Sequence, residues 1–328
     1  MPIQRRFLNA AGLACALVAL SPTAVLADPA FPDKPIRIIV PSTAGGGFDV
    51  VSRILGQYLG EVLKQNIVIE NRTGAGTLVG TQVAAKAAPD GYTLLAGGLS
   101  NIVWNMHLYS SPGYDGLADF VPVGLAYTVP YVAVVRKDFP ANNLKEMLDL
   151  ARAQPGKLNM AHLGSGTGAH IMGTYLMKQT GVRFTDVPYK GSQAAYPDLI
   201  AGRADVMFDT APSARPHIQA GNMKALAIVS PRRSSLFPNV PTSAEAGVPG
   251  WEIESWVGLF APAKTPPAVL DKLRSALNQV LSNKELRQKF ETTAGEVFTL
   301  GPQETEAFIK AEGRKWAAIV RDAGIKPQ

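Results

Sequence analysis

The sequence PSTAGGGFDVVSRILGQYL, residues 41–59, places three consecutive glycines between a β-rich run and an apolar helical pattern. The β-rich run is IRIIV, residues 36–40, and the helical pattern repeats apolar side chains on one face: Val50, Val51, Ile54, Leu55, Tyr58, Leu59, Val62 and Leu63. A strand, a glycine turn and an amphipathic helix in this order are typical of α/β proteins. Such a turn can bind an anion, because the first turn of a helix leaves its backbone N–H groups without acceptors.

The same order recurs along the chain. Further strand-like runs, each followed by a glycine- or serine-containing turn and a helical pattern, lie at residues 66–70, 92–98, 157–163, 184–189 and 204–209. This repetition predicts an α/β fold with mainly parallel sheets. The turns of such sheets gather outside the carboxyl ends of the strands, so the sequence predicts a cleft rich in neutral donors that suits a carboxylate or another small anion.

The C-terminal third has a different pattern. A strand-like run at residues 255–263 is followed by a helix over residues 265–281, for which Thr265 is the predicted N-cap. A second long helix is predicted over residues 304–323, and Gly324 is its expected stop.

Composition limits the class of protein. The chain has 328 residues, of which 46% are hydrophobic and 18% charged, and this composition is typical of a protein with a hydrophobic core. The net charge is +6, and basic residues cluster only in pairs such as Arg5–Arg6 and Arg232–Arg233. Without a basic stripe interleaved with aromatic residues, nucleic-acid binding is not expected.

The N-terminus has the pattern of a cleaved export signal, residues 1–27. Arg5 and Arg6 precede an apolar run that is shorter than the roughly 20 residues a membrane-spanning helix needs. Val25 and Ala27 stand at the −3 and −1 positions of a cleavage site after Ala27. General secretion and twin-arginine export both remain open. The one cysteine, Cys15, lies inside this signal, so the mature chain is expected to have neither a disulfide nor thiol chemistry.

Catalytic and cofactor motifs are weak or missing. No GK[ST] tripeptide closes a glycine run, and GSGTGA at residues 164–169 is a lone GxGxxA match. Ser165 lacks the GxSxG spacing of a hydrolase nucleophile. His162 and His170 are eight residues apart across a glycine turn, without an HExxH or CxxC motif. We therefore expect no catalytic residue, no metal and no cofactor.

Five blocks of sequence carry a resemblance to a known family. They are FPDKPIRIIVPSTAGGGFDVVSR (31–53), VIENRTGAGTLVGTQVAAKAAPDGYTLL (68–95), GSGTGAH (164–170), VPYKGSQAAYPDLIAGRADVMFD (187–209) and WVGLFAPAKTPPAVL (256–270). In this order they resemble the Bordetella-uptake-gene family, the extracytoplasmic solute-binding receptors of tripartite tricarboxylate transporters. The resemblance runs from about residue 31 to the C-terminus.

The resemblance implies a two-lobed periplasmic binding protein of the Venus-flytrap type, each lobe a mainly parallel sheet flanked by helices. Residues 28–128 plus 256–328 would form the first lobe and residues 129–255 the second. The implied function is to capture a small di-, tri- or aromatic carboxylate in the interlobe cleft, as a periplasmic monomer, and to deliver it to the large and small permease subunits of a tripartite transporter. Signalling through a sensor kinase and, less readily, hydrolysis in the periplasm remain as alternatives.

The resemblance also implies the ligand-binding residues. In the first loop, which follows the strand-like run at residues 36–40, they are Ser42, Thr43, Ala44, Gly45, Gly46, Gly47, Phe48 and Asp49. In the third loop, which follows the third run at residues 92–98, they are Ser100, Asn101 and Trp104. In the second lobe they are Gly164, Ser165, Gly166, Thr167, His170, Tyr189, Lys190, Gly191, Ser192 and Asp209. Several have structural alternatives: Asp49 could cap its helix, His170 could pack behind the ligand, and Lys190 could be a solvated turn residue.

Two aromatic residues depart from the family pattern. Phe48 follows the glycine run where the family commonly has a small polar residue, and Trp104 stands where smaller residues are usual. If these rings line the cleft, they favour an apolar or aromatic carboxylate over citrate. Both rings could instead point into the core.

Overall fold

The structure is a computed structural model that describes residues 31–164, 167–234, 236–293, 295–322 and 327. The chain divides into Met1–Phe31 and a unit formed by Pro32–Gln328. The predicted signal sequence, residues 1–27, and the predicted helix stop at Gly324 lie outside the described residues.

The described residues form alternating strands and helices. The strands are β1 (Ile36–Val40), β2 (Ile67–Asn71), β3 (Thr93–Gly98), β4 (Phe120–Arg136), β5 (Asn159–His162), β6 (Thr185–Pro188), β7 (Val206–Thr210), β8 (Met223–Val229), β9 (Glu254–Pro262) and β10 (Glu296–Val297). The helices are α1 (Gly47–Leu63), α2 (Leu78–Ala85), α3 (Asn105–Leu108), α4 (Leu144–Ala153), α5 (Gly168–Thr180), α6 (Ser192–Ile200), α7 (Ala211–Gln219), α8 (Pro267–Leu281), α9 (Lys284–Thr292) and α10 (Pro302–Asp322). A 3₁₀ turn (Ala75–Thr77) precedes α2 and a π-helical turn (Leu99–Trp104) precedes α3.

The strands form two sheets that share β4. In the first sheet the order is β2-β1-β3-β9-β4, with β10 beside β4, and β1, β2 and β3 are parallel. In the second sheet β6, β5 and β7 are parallel, while β4 runs antiparallel to β7 and β8. The predicted strand–turn–helix units thus lie in parallel segments, as the repeated pattern indicates.

Strand β4 connects the two sheets. Its 17 residues, FVPVGLAYTVPYVAVVR, extend over about 55 Å at roughly 3.3 Å per residue. It pairs with β9 up to Pro130 and with β7 and β8 from Tyr131 onward. Pro130 therefore stands where the strand changes partners, a position where the missing N–H of proline interrupts no continuous ladder.

Helix α1 packs on the first sheet with the face that the sequence predicts. In α1, Val51, Leu55, Tyr58 and Leu59 are buried, and Gly56 lets the helix approach β2 closely: a Cβ there would lie 3.1 Å from Cδ1 of Ile69.

The prediction that Thr265 caps α8 is wrong. The N-cap is Pro266, and the Thr265 hydroxyl instead donates to the carbonyl of Pro262 (2.7 Å), which closes the turn after β9.

In α10 the described residues include Ile309, Trp316 and Val320 as buried side chains. Trp316 packs edge to face against Trp104, with ring centroids 5.0 Å apart, so the C-terminal helix supports the turn that follows β3. None of the helices within the described part of the chain is long and apolar enough to cross a membrane.

Candidate functional site

The carboxyl ends of the parallel strands in both sheets meet at the middle of β4. At the end of β3, Gly98 pairs with Val257 of β9, and Val257 pairs with Tyr127 of β4. At the end of β7, Thr210 pairs with Tyr131 of β4. Four residues of β4, about 13 Å, thus separate the two strand ends. The loops of both sheets accordingly face one another across this point.

The first loop is held in place by Asp49. This residue is 2% exposed and accepts hydrogen bonds from the backbone N–H of Gly45, Nε of Arg53 and Nδ2 of Asn71, each at 2.9 Å. Asn71, at the end of β2, also donates to the carbonyl of Ser42 (3.0 Å). Because both carboxylate oxygens are occupied in this way, Asp49 fixes the shape of the glycine turn and does not extend a free oxygen into it.

The charge on Asp49 is balanced locally. Burial raises the pKa of the carboxyl group, but the hydrogen bond from Arg53, the one from Gly45 and the charge of Arg53 outweigh it, so the pKa is lowered. The carboxylate therefore stays ionised at neutral pH, and the paired Arg53 reduces the repulsion it would exert on an anion at the same helix end.

Phe48 is half-buried and lies against the end of β3. A Cβ on Gly98 would be 2.9 Å from Cε1 of Phe48 and 2.5 Å from the carbonyl oxygen of Trp256. Gly98 must therefore be glycine because two groups approach it closely. The contact brings the first and third loops together, and Phe48 as a whole residue stays partly exposed.

In the third loop, Asn101 and Trp104 are directed into the protein. The side chain of Asn101, which is fully buried, accepts from the N–H of Gly98 (2.8 Å) and donates to the hydroxyl of Thr81 (3.0 Å). Trp104 is 2% exposed, and its Cζ3 would lie 3.0 Å from a Cβ on Gly168 of α5. Ser100 is half-buried. Trp104 thus joins the loops of the first sheet to those of the second.

The loop after β5 leads into α5. Gly164 has a left-handed φ of +107°, and a Cβ there would lie 4.0 Å from Cγ2 of Thr167. The Thr167 hydroxyl donates to the carbonyl of Gly164 (2.7 Å). Ser165 and Gly166 lie outside the described residues. His170 is half-buried with its ring 4.9 Å from that of His162, and burial, followed by the charge of His162, lowers its pKa, so it is neutral at pH 7.

The loop after β6 leads into α6. The Tyr189 hydroxyl donates to Asp198 (2.9 Å), away from the strand ends, and Lys190 is exposed. Gly191 is the N-cap with a φ of +133° and open space around it. The half-buried Ser192 begins the helix. A hydrogen bond from Ser192 to Asp209 places the start of α6 beside the end of β7.

Asp209 joins α6 and α7. It is 2% exposed and accepts from the hydroxyl of Tyr196 and the N–H of Thr210, each at 2.7 Å. Burial raises its pKa, and hydrogen bonds from Ser192 and Tyr196 oppose the shift without cancelling it. Asp209 has the same positioning role as Asp49, but neutral donors surround it instead of an arginine.

This difference predicts the effect of Asp209→Asn. A carboxyl whose pKa is raised on folding destabilises the protein when it ionises, so stability falls as the pH rises from about 4 through the raised pKa. The asparagine side chain has nearly the same shape as that of Asp209 but carries no charge. We expect Asp209→Asn to melt at or above the wild-type temperature at pH 7.5, with the gain absent at pH 4. A large loss of stability at both pH values would contradict this account.

Four helices begin where the carboxyl ends of the strands converge near the middle of β4, and none of the four has a side-chain cap. They are α1, α5, α6 and α7, with N-caps Gly46, Thr167, Gly191 and Thr210. The side chains of Asn143 and Asn283 cap α4 and α9, which begin elsewhere, whereas α2 and α8 also lack a side-chain cap. What distinguishes the four helices is that their N-termini begin directly after the converging strand ends. The N–H groups of a helix without such a cap remain available to another acceptor, and the helix dipole favours a negative one.

Sequence reasoning missed one residue of this region. Tyr131 lies in the apolar run of β4, where alternating or continuous hydrophobicity indicates a core strand. Its hydroxyl oxygen would be 2.1 Å from a Cβ on Gly168, the first residue of α5. Only the Pro130-Tyr131 step marks this position, and that signal is weak because the same strand also contains Phe120, Pro122 and Tyr127.

Among the described residues, no three His, Cys, Asp or Glu side chains form a group that could hold a metal ion. His162 and His170, whose rings lie 4.9 Å apart, therefore belong to no such group within the described part of the chain. The groups that the described residues of this region offer to a ligand are backbone N–H and hydroxyl donors.

Comparison with known proteins identifies the family. Residues 51–325 match the tripartite tricarboxylate transporter family receptor. The periplasmic binding protein BugD superposes with a TM-score of 0.82 at 34% identity, covering 91% of this chain and 100% of BugD. Rpa4515 of R. palustris with adipate superposes with a TM-score of 0.85 at 32% identity (91% and 100% covered), and MatC of Rhodopseudomonas palustris with bound malate with 0.80 at 32% (88% and 100%). The chain therefore belongs to the tripartite tricarboxylate transporter receptor family, whose members are solute-binding receptors with a periplasmic binding protein fold and not enzymes.

Proposed function

We propose that this protein is an exported receptor that binds a small carboxylate where its two sheets meet and delivers it to the membrane subunits of a tripartite transporter. The observation that carries the proposal is the convergence of four helix N-termini without side-chain caps at the strand ends. Relatives with adipate and malate agree with a carboxylate ligand. Export after cleavage at about Ala27 and docking on large and small permease subunits belong to the proposal.

We place the lobes at residues 28–128 plus 256–328 and residues 129–255. The change of partners along β4 supports this division, since β4 pairs with β9 up to Pro130 and with β7 and β8 beyond it. The chain returns from the second lobe to the first at the start of β9, where Glu254 pairs with Pro130. Only two chain segments then connect the lobes, which suits hinge closure around a ligand.

The ligand would be held chiefly by N–H groups. Lys190 is the one cation among the described residues of the predicted loops, and it is exposed on the rim. The N-terminus of α1 would bind the ligand from the first lobe, and those of α5 and α6 would bind it from the second. A ligand that touches both lobes binds the closed state better and so shifts the population toward it.

The proposed ligand-contacting set is narrower than the predicted set. Asp49, Asn101, Trp104 and Asp209 are buried and bonded or packed within the protein, so we assign them to positioning. Direct contacts are proposed for the glycine turn of residues 45–47, Phe48, Thr167, Gly191 and Ser192. Ser100 and Lys190 would lie at the edges of the cleft.

Phe48 leads to a prediction about ligand class. Phe48 is only half-buried, so its ring would contact the carbon skeleton of a ligand whose carboxylate lies at the α1 N-terminus. We expect thermal-shift and calorimetric titrations to rank adipate and benzoate above citrate, since citrate needs polar partners for its hydroxyl and additional carboxylates. Stabilisation by citrate alone would contradict the role of Phe48 and leave the carboxylate proposal intact.

A further inference from the structure

Tyr131 is a largely buried residue whose hydroxyl group makes no hydrogen bond with any described residue. The residue is 8% exposed, and neither a donor nor an acceptor for its hydroxyl occurs among the residues that the structure describes. By comparison, the buried hydroxyls of Tyr127 and Tyr196 bond to Thr293 and Asp209. Polar groups on largely buried side chains are normally paired in folded proteins, and the Tyr131 hydroxyl is not among the fully buried, unpartnered side-chain atoms of the described residues. It therefore remains within reach of a partner that arrives from outside.

The Tyr131 hydroxyl is directed at the N-terminus of α5. Its oxygen would lie 2.1 Å, and its Cζ 2.8 Å, from a Cβ on Gly168, so only glycine leaves room for the phenol there. Gly168 has a helical backbone and is not among the residues with positive φ. The close approach of Tyr131, and not a backbone requirement, therefore explains this glycine.

Tyr131 is on the same side of the second sheet as α5, since it belongs to the hydrophobic cluster that contains Ile171 and Leu176 of that helix. Its backbone pairs with Thr210 at the end of β7, directly after the point at which β4 changes sheets. Packing thus fixes the ring on the strand that joins the two sheets, while the hydroxyl extends to the start of a helix that faces the cleft.

The hydroxyl is suited to donate. Burial, and next the charge of Asp209, raise the pKa of Tyr131, so the phenol stays protonated at any physiological pH. The N-cap of α5, Thr167, makes no side-chain cap, and its own hydroxyl donates to Gly164. An anion at the N-terminus of this 13-residue helix would consequently find two kinds of donor, the helical N–H groups and the Tyr131 hydroxyl.

We propose that Tyr131 is a ligand-binding residue whose hydroxyl donates a hydrogen bond to one carboxylate oxygen of the ligand at the N-terminus of α5. This inference rests on the proposed function and adds a contact from the connecting strand itself. The ligand would then bridge the first-lobe turn, the second-lobe helix and β4, which makes closure depend on a group in the hinge region.

The test is Tyr131→Phe, titrated by calorimetry with adipate, malate, citrate and benzoate. A hydrogen bond to a charged group contributes enough that its loss should weaken the best of these acids roughly tenfold to a hundredfold. Because the Tyr131 hydroxyl makes no hydrogen bond among the residues that the structure describes, the melting temperature of ligand-free Tyr131→Phe should stay at or slightly above that of the wild type.

Tyr127→Phe is the matched control. Tyr127 lies four residues earlier in β4, and its hydroxyl bonds to the hydroxyl and carbonyl of Thr293 at 2.7 and 3.1 Å. Tyr127→Phe should lower the melting temperature and leave the affinity for the ligand unchanged, which is the reverse of the result expected for Tyr131→Phe. Wild-type affinity in Tyr131→Phe, or a melting temperature lowered as much as in Tyr127→Phe, would overturn the inference alone. If the wild-type protein binds none of the four acids, the proposed function fails as well.

Discussion

Gly47→Leu should lower the affinity for the best carboxylate at least a hundredfold without lowering the melting temperature. Gly47 is the first residue of α1, is exposed, and has nothing within 4 Å of the position its Cβ would take. A Cα–Cβ bond in a helix leans toward the N-terminus, so the new side chain would cover the N–H groups that the ligand needs. Replacing a helical glycine also favours the fold by roughly 0.5–1 kcal/mol.

The control for Gly47→Leu is Gly313→Leu. Gly313 lies within α10 and also has nothing within 4 Å of its Cβ position. Both variants change the same residue type in a helix, but only Gly47 is at the converging strand ends. Calorimetric titration and thermal melting of both proteins measure the effect. Equal affinities of Gly47→Leu and the wild type would remove α1 from the proposed site.

Asp49→Ala should destabilise the protein by about 3 kcal/mol, because it removes three hydrogen bonds to a charged group and leaves their donors without an acceptor. The free energy of unfolding in urea measures this effect. The glycine turn would lose its link to Asn71 and Arg53, so ligand affinity should fall with the stability.

The pH dependence of this effect follows from the lowered pKa of Asp49. A carboxyl whose pKa is depressed on folding stabilises the protein above the unfolded pKa, near 4, and loses that contribution as the pH falls through the folded value. The difference between wild type and Asp49→Ala should therefore shrink below pH 4.

Asp149→Ala is the surface control for Asp49→Ala. Asp149 pairs with Lys145 and Arg152, and its side chain is 48% exposed. Its loss should change the free energy of unfolding far less than the loss of Asp49, because solvent screens an exposed ion pair. If Asp49→Ala and Asp149→Ala have equal, small effects, Asp49 does not fix the loop.

Local patterns predicted the strand–turn–helix units well. The glycine turn before α1 and the one before α5 lie where the sequence places them, because strand, turn and helix are each encoded by neighbouring residues. The path of β4 was not predictable in the same way. Its run is apolar throughout, and nothing local specifies that it pairs with β9 up to Pro130 and with β7 afterwards.

The positioning contacts are likewise non-local. Asp49 could be recognised as a residue near a helix N-terminus, but its bond to Asn71 depends on the pairing of β1 with β2. The approach of Tyr131 to Gly168 depends on how β4 and α5 pack. Such contacts between distant parts of the chain are set by tertiary packing, which residue periodicity does not report.

The most direct test of the account is a calorimetric comparison of adipate with its neutral diamide, on protein that has been unfolded and refolded to remove retained ligand. Helix N-termini without side-chain caps favour a negative charge, so we expect one carboxylate to bind per chain, with binding of the diamide at least tenfold weaker. Malate and malamide should give the same order if malate is the better ligand. Equal affinity for acid and amide, or no binding by either acid, would contradict the claim that this site is a carboxylate clamp.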